Sequence, residues 1–291
     1  MIPKSFSFII FGASGDLTKR KLFPALFDLF SEKRLPEKFE IVGIGRTPYN
    51  DSEYRNYLLG QLPKYIKPEA WNNELVNSFI SHIRYETMDP AKEEGFSVLA
   101  ENLKNSNSES IIYYLATPPL LYGVIPQHLK TFGLNGENTR IIVEKPFGYD
   151  LTSAKQLNEI YRDTFQEQQV YRIDHFLGKE TAQNILAFRF ANSIFEPIWN
   201  RNYIDYVEIT SVENLGIENR GGYYETAGTM RDMVQNHLVQ LLALCAMEPP
   251  VKFDADSFRN EVVKVYDSLV PLTEDYIREN VIRGQYTAGG K

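Results

Sequence analysis

The chain has 291 residues, 43% of them hydrophobic, enough to bury a substantial core and to form two domains. Thirty-one basic side chains against 38 acidic ones give a formal charge of −7 at pH 7. This argues against a general nucleic-acid or anionic-membrane binder, so any anionic ligand must be held by local positive groups.

The apolar run at the N-terminus, FSFIIFG, is too short for a signal h-region or a membrane span and reads as a strand. DLTKRKLFPALFDLF follows as a helix, with Leu22, Phe23, Leu26, Phe27 and Phe30 at helical spacing. FEIVGIGR is a second strand, SEYRNYLLGQL and PEAWNNELVNSFI are helical, and SIIYYLATPP and TRIIVEKPFG are further strands. A polar helix from Leu151 to Gln166 starts after Asp150, a suitable N-cap. Strands alternating with helices predict an α/β fold with a doubly wound parallel sheet of Rossmann type.

Beyond Arg172 the texture changes. IDYVEITSVEN has the period-two alternation of an antiparallel strand, and ETAGTMRDMVQNHLVQLLALCAM is a long helical run stopped by Pro249 and Pro250. One more helix is expected around SFRNEVVKVYDSL. The single cysteine, Cys245, excludes an internal disulfide framework, fits a reducing, cytoplasmic setting, and reads as a buried structural thiol. A nucleotide-binding domain is expected over 1–171 and a substrate or catalytic α+β domain over 172–291. The second is expected to be incomplete, because one strand and two helices do not enclose a core.

FIIFGASGDLTKRKL sets Gly12 and Gly15 between a strand and a helix. Gly12 permits the tight turn, Gly15 lets a pyrophosphate approach the backbone, and the helix N-terminus offers N–H groups and a positive dipole end. The full G-x-G-x-x-G is absent, so a turn that needs glycine only for backbone reasons stands as the alternative. The second strand ends in Gly43-Ile44-Gly45-Arg46-Thr47, where an NAD-selective fold places an acidic residue. An arginine there can form a forked pair with a 2′-phosphate, so Arg46 points to NADP. Lys145, in Glu144-Lys145-Pro146-Phe147-Gly148, follows a parallel strand and is expected to face the crevice where such sheets bind ligands, with a solvent lysine beside a structural proline as the alternative.

RIDHFLGKE, Arg172 to Glu180, concentrates charge in a chain with four histidines. If the segment opens a helix, His175 and Lys179 share a face and suit a phosphate. Asp174 cannot serve that anion, and its carboxylate is expected to orient an imidazole, with His237 in RDMVQNHLVQ the candidate. A carboxylate that holds an imidazole tautomer makes a general base. A structural or surface histidine is the plain alternative for His237, as for His82. Glu213 is an acidic candidate for sugar hydroxyls, and Asp232, five residues before His237, can line the same wide pocket.

FGASGDLTKRKLFPALFDL, IVGIGR, YYLATPP, EKPFG, RIDHFLGKE and RDMVQNHLVQLL, in this order, resemble the glucose-6-phosphate dehydrogenase family, and DHFLGKE is close to its active-site signature. The resemblance runs from about Phe8 to Met247. It implies oxidation of glucose 6-phosphate to the 1,5-lactone with hydride transfer to NADP+, the entry to the pentose phosphate pathway, and no metal. His237 is then the base, Asp174 the carboxylate that orients it, and Lys145 a catalytic lysine between cofactor and substrate. His175 and Lys179 hold the sugar phosphate, and Glu213 and Asp232 the hydroxyls. The turn from Gly12 to Lys19, with Ala13, Ser14, Gly15, Asp16 and Leu17, carries the pyrophosphate; Arg46 takes the 2′-phosphate, and Met88, Asp89 and Tyr122 other parts of the nucleotide. Phe176 departs from the pattern, since many members carry Tyr there. Members also continue well past this length, with a large antiparallel sheet and the interface of a homodimer or homotetramer. Another NADP-dependent sugar dehydrogenase, or an NADP-binding fragment without catalysis, are the rival readings.

Overall fold

The computed structural model describes residues 3–212, 216 and 221–285. The chain divides into two compact units, Met1–Asp174 and His175–Lys291. The boundary expected between residues 171 and 172 falls inside a strand, Val170–Arg172.

The first unit is built on six strands: β1 (Ser5–Phe11), β2 (Lys38–Gly45), β3 (Ile83–Thr87), β4 (Ser110–Leu115), β5 (Thr139–Val143) and β6 (Val170–Arg172). Their order is β3-β2-β1-β4-β5-β6 and every pairing is parallel. Winding reverses between β1 and β4, which creates a switch point at the carboxyl edge. Register keeps that edge level. Phe11 lies opposite both Ile44 and Leu115, and Leu115 opposite Val143. The residues that follow each strand therefore stand in a row, with Gly12 between Gly45-Arg46 and Ala116, and Glu144-Lys145 beyond.

Both faces of the sheet are covered, which is why the strands read as near-continuous apolar runs. Side chains alternate across the pleat: Ile9 and Phe11 enter one core, Phe8 and Ile10 the other. Helices α1 (Phe23–Ser31), α2 (Asp51–Gln61) and α3 (Asn73–Ser81) supply Phe27, Leu58 and Phe79 to the second core. Helices α4 (Phe96–Ser106), α5 (Val124–Thr131) and α6 (Leu151–Thr164) supply Leu99, Leu129 and Tyr161 to the first. Asp150 caps α6 by accepting the Ser153 N–H at 2.8 Å, as the sequence predicts.

The second unit is helical among its described residues: α7 (Glu180–Phe190), α8 (Gly221–Thr229), α9 (Val239–Ala246), α10 (Ala255–Asp267) and α11 (Glu274–Asn280). A small core joins Ala182 of α7, Ala243 and Leu244 of α9, Met247, and Val262 of α10. The predicted helical run from Glu225 to Met247 is divided. Gly228 takes a positive φ of 62°, and Met230–Leu238 is π-helical.

The antiparallel strand expected in IDYVEITSVEN is not formed among the described residues, where 204–212 are irregular. A strand exists only through its ladder, and no neighbour pairs with this segment; Tyr206 and Val212 stay 75% and 81% exposed. No described helix is long and apolar enough to cross a membrane.

Phe11 is fully buried between the Phe96 and Tyr113 rings. Phe11→Ala is expected to destabilise the first unit by about 3–5 kcal/mol in urea unfolding. Leu120→Ala, at a side chain 89% exposed, is expected to change stability by under about 0.5 kcal/mol.

Candidate active site

The glycine turn is fixed by its neighbours on both sides. The N–H groups of Gly12 and Ala13 both donate to the Ile44 carbonyl at 2.9 Å, and the Ala116 N–H donates to Phe11 at 2.9 Å. Gly12 has φ +90°, and a Cβ there would stand 2.2 Å from the Ala116 carbonyl oxygen. No side chain fits that gap, so glycine is required both by conformation and by space. A Cβ on Gly15 would reach 3.0 Å from the Gly12 oxygen, the tightness of a turn folded back on itself. Thr18 closes the turn by donating to the Gly12 carbonyl at 3.1 Å.

Asp16 and Leu17 open the helical segment after this turn, and Thr18–Leu22 is π-helical before α1 begins. The first N–H groups of a helix have no partner within it, which suits them to an anion. Lys19 and Arg20 pair with Asp16 at 3.3 and 3.1 Å. Exposed pairs of this kind are worth only about 0–1 kcal/mol, so both cations can turn toward a phosphate.

Arg46 follows β2 directly and is exposed; among the described residues no ion pair engages it. Met88 is buried and donates its N–H to the Gly45 carbonyl at 2.9 Å, while Asp89 is half-buried and accepts the Ala91 N–H at 3.1 Å. Tyr122 is 2% exposed and belongs to the core beneath the sheet. Lys145, half-buried, leaves β5 at the same edge, joined to Pro146 by a cis peptide. Beside it the Tyr114 hydroxyl donates to the Glu144 carboxylate. Asp174 closes this unit and is half-buried.

In the second unit, residues 175–178 form a turn and α7 starts only at Glu180, with Lys179 as N-cap. The expectation that the segment opens a helix is corrected: the Gly178 and Lys179 N–H groups bond back to His175 and Phe176 at 3.3 and 3.1 Å and hold the turn instead. His175, Lys179 and His237 are nevertheless linked, through Phe176. The Phe176 ring stacks on His237 with centroids 4.1 Å apart and planes at 11°, and the Lys179 ammonium lies 3.6 Å over the Phe176 ring centroid. His175 packs edge-on against His237 at 4.6 Å. His237 is fully buried while His175 and Lys179 are exposed, so the cluster runs from the surface to an enclosed imidazole.

Asp232 and His237 lie in the π-helical stretch Met230–Leu238. Hydrogen bonding from i to i+5 widens the turn and brings positions five apart closer to one face, reducing the offset an α-helix would impose. Glu213 lies outside the described residues.

Sequence reasoning passed over Phe176 as an anchor for an imidazole and passed over Arg189 altogether. Arg189 is 5% exposed and donates to the carbonyls of Leu244 and Met247 at 2.7 Å each, closing the C-terminal end of α9. It lines a cavity of about 730 Å³ with Trp199 and Cys245 that includes none of the candidate residues. Burial pushes the Cys245 thiol up, against the nearby Arg189 charge, which keeps it protonated and unreactive.

Two family profiles cover almost the whole chain: "Glucose-6-phosphate dehydrogenase, NAD binding domain" matches residues 9–184, and "Glucose-6-phosphate dehydrogenase, C-terminal domain" matches residues 186–291. The chain belongs to the glucose-6-phosphate dehydrogenase family. Its relatives include the glucose-6-phosphate 1-dehydrogenase of Aggregatibacter actinomycetemcomitans, 49% identical over 97% of this chain and 58% of that protein. That of Treponema pallidum is 46% identical over 97% and 56%. A solved glucose-6-phosphate dehydrogenase in complex with its substrate glucose-6-phosphate superposes with a TM-score of 0.82 at 35% identity, over 96% of this chain and 62% of that one. The Mycobacterium avium enzyme gives 0.86 at 35% identity, over 97% and 61%. The chain thus spans less than two thirds of the length of these relatives.

Gly12→Ala tests the glycine turn. The collision is with backbone, so the turn must shift, and the affinity for NADP+ is expected to fall more than tenfold in calorimetry. Unchanged binding would remove the turn from the cofactor site.

Proposed function

We propose that the chain carries the cofactor and substrate sites of a glucose-6-phosphate dehydrogenase, an NADP-dependent oxidoreductase of carbohydrate metabolism in the cytoplasm. The observation that carries the reading is the buried His237 imidazole packed against the exposed His175–Lys179 turn, within a chain of this family.

The residues of the first unit fit a dinucleotide with a 2′-phosphate. Gly12 and Gly15 leave the backbone open to a pyrophosphate, the turn through Ala13 and Ser14 leads into the helix-start N–H groups of Asp16 and Leu17, and the exposed Arg46 offers a fork to the 2′-phosphate. Met88 and Asp89 adjoin that loop. When bound, NADP+ supplies the hydride acceptor.

His175 and Lys179 bind the sugar phosphate, with two charge-assisted contacts on an exposed turn. His237 takes the proton of the C1 hydroxyl as the C1–H bond electrons depart, so the carbonyl forms without a protonated, cationic product. Burial excludes water from this imidazole. Asp174, peptide-bonded to His175, orients the base and steadies the imidazolium. Lys145 would serve as a catalytic lysine contacting cofactor and sugar, and Asp232, with Glu213, would hold sugar hydroxyls. The family relationship supports a homodimer or homotetramer for the complete protein.

The experiment is NADP+ reduction with glucose 6-phosphate, beside calorimetry of each ligand. His237→Ala is expected to keep both affinities within about threefold and to lower turnover by about 10²–10⁴, the usual contribution of a positioned base. Retained turnover would refute the base assignment. Binding of NADP+ with no binding of the sugar phosphate would favour a cofactor-binding chain without catalysis.

A further inference from the structure

The second strand contains Gly43 and Gly45, which the cofactor site does not itself use. A Cβ on Gly43 would stand 2.8 Å from the Ala13 Cβ and 3.1 Å from a Tyr54 ring carbon, and one on Gly45 would stand 2.6 Å from the Tyr85 hydroxyl. The two glycines make room for two tyrosines, Tyr54 of α2 and Tyr85 of β3, whose rings pack with centroids 4.3 Å apart. Each hydroxyl holds a different loop. Tyr54 donates to the Ala13 carbonyl of the glycine turn at 2.8 Å. Tyr85 donates to the Thr47 carbonyl, one residue past Arg46, at 3.0 Å.

We infer that Tyr85 is a positioning residue that sets the preference for a 2′-phosphorylated dinucleotide, by holding the loop that carries Arg46 through the Thr47 carbonyl. This rests on the cofactor reading above. Arg46 is a long, exposed side chain, and a fork contact is strong only when its backbone is held in place. Thr87 adds to the hold, donating to the Thr47 and Tyr49 carbonyls at 3.4 and 3.3 Å. Burial, with Tyr49 nearby, pushes Tyr85 up to about 12, so its hydroxyl remains protonated and donating at neutral pH. Tyr54 acts on the turn alone and serves both cofactors equally.

The test is calorimetric titration of the whole chain with NADP+ and with NAD+. Tyr85→Phe is expected to lower the NADP+/NAD+ affinity ratio by about fivefold, the loss of one net hydrogen bond. Tyr54→Phe is expected to weaken both cofactors together and leave the ratio unchanged. A purely structural role for Tyr85 predicts the Tyr54 pattern, and an unchanged ratio in Tyr85→Phe overturns the inference. If thermal melting shows that Tyr85→Phe does not fold, Thr87→Val, at an exposed position, reads the same loop: a lowered ratio supports the inference and an unchanged one overturns it. Arg46→Ala separates the two levels. If it leaves the ratio intact, the 2′-phosphate reading itself fails; if it abolishes the preference while Tyr85→Phe does not, only the role of Tyr85 fails.

Discussion

Where β1 turns away from β4, the Ala116 carbonyl would lie 2.2 Å from any Cβ on residue 12. That distance is the constraint on which the first unit depends. Two parallel strands that leave the sheet in opposite directions must part at this point, and the chain can follow only with a glycine at φ +90°. Backbone bonds to Ile44 on one side, and from Ala116 to Phe11 on the other, hold the parting strands at a fixed width. The crevice is thus a property of strand order and register before any ligand chemistry is considered. Arg46 and Lys145 follow strands that end near the same level, which sets both at its edge.

The central strands were legible because burial on both faces writes itself as an apolar run: FSFIIF, EIVGIG and IIYYL need no partner to be seen. The edges were not. IRYET alternates, and its polar residues find partners only in the fold, Arg84 with Glu40 at 3.5 Å and with Glu86 at 3.2 Å. Val170–Arg172 is three residues long and is a strand only because β5 lies beside it. The segment 204–212 shows the converse, since it alternates well and makes no ladder among the described residues. Alternation states what a segment can do, and pairing decides whether it does.

The candidate residues divide in the same way. The candidates that rest on a local turn, Gly12, Gly15 and Arg46, are picked out by spacing alone. The stack of Phe176 on His237 joins positions about sixty residues apart and left no periodic trace. It was visible in sequence only as a ring beside a histidine. The π-helical widening around Asp232 and His237 was equally hidden, because the run reads as an ordinary amphipathic helix until its hydrogen bonds are seen. In both places candidate polar residues sit on backbone that departs from the regular geometry its sequence suggests.

Amide NMR during titration of the chain with NADP+ reads whether a dinucleotide lies on the turn at the β1/β4 switch point. The largest saturable shifts are expected on the N–H groups of Gly12 through Leu17 and of Arg46. Saturable binding whose shifts fall elsewhere, with those amides unmoved, would contradict that placement.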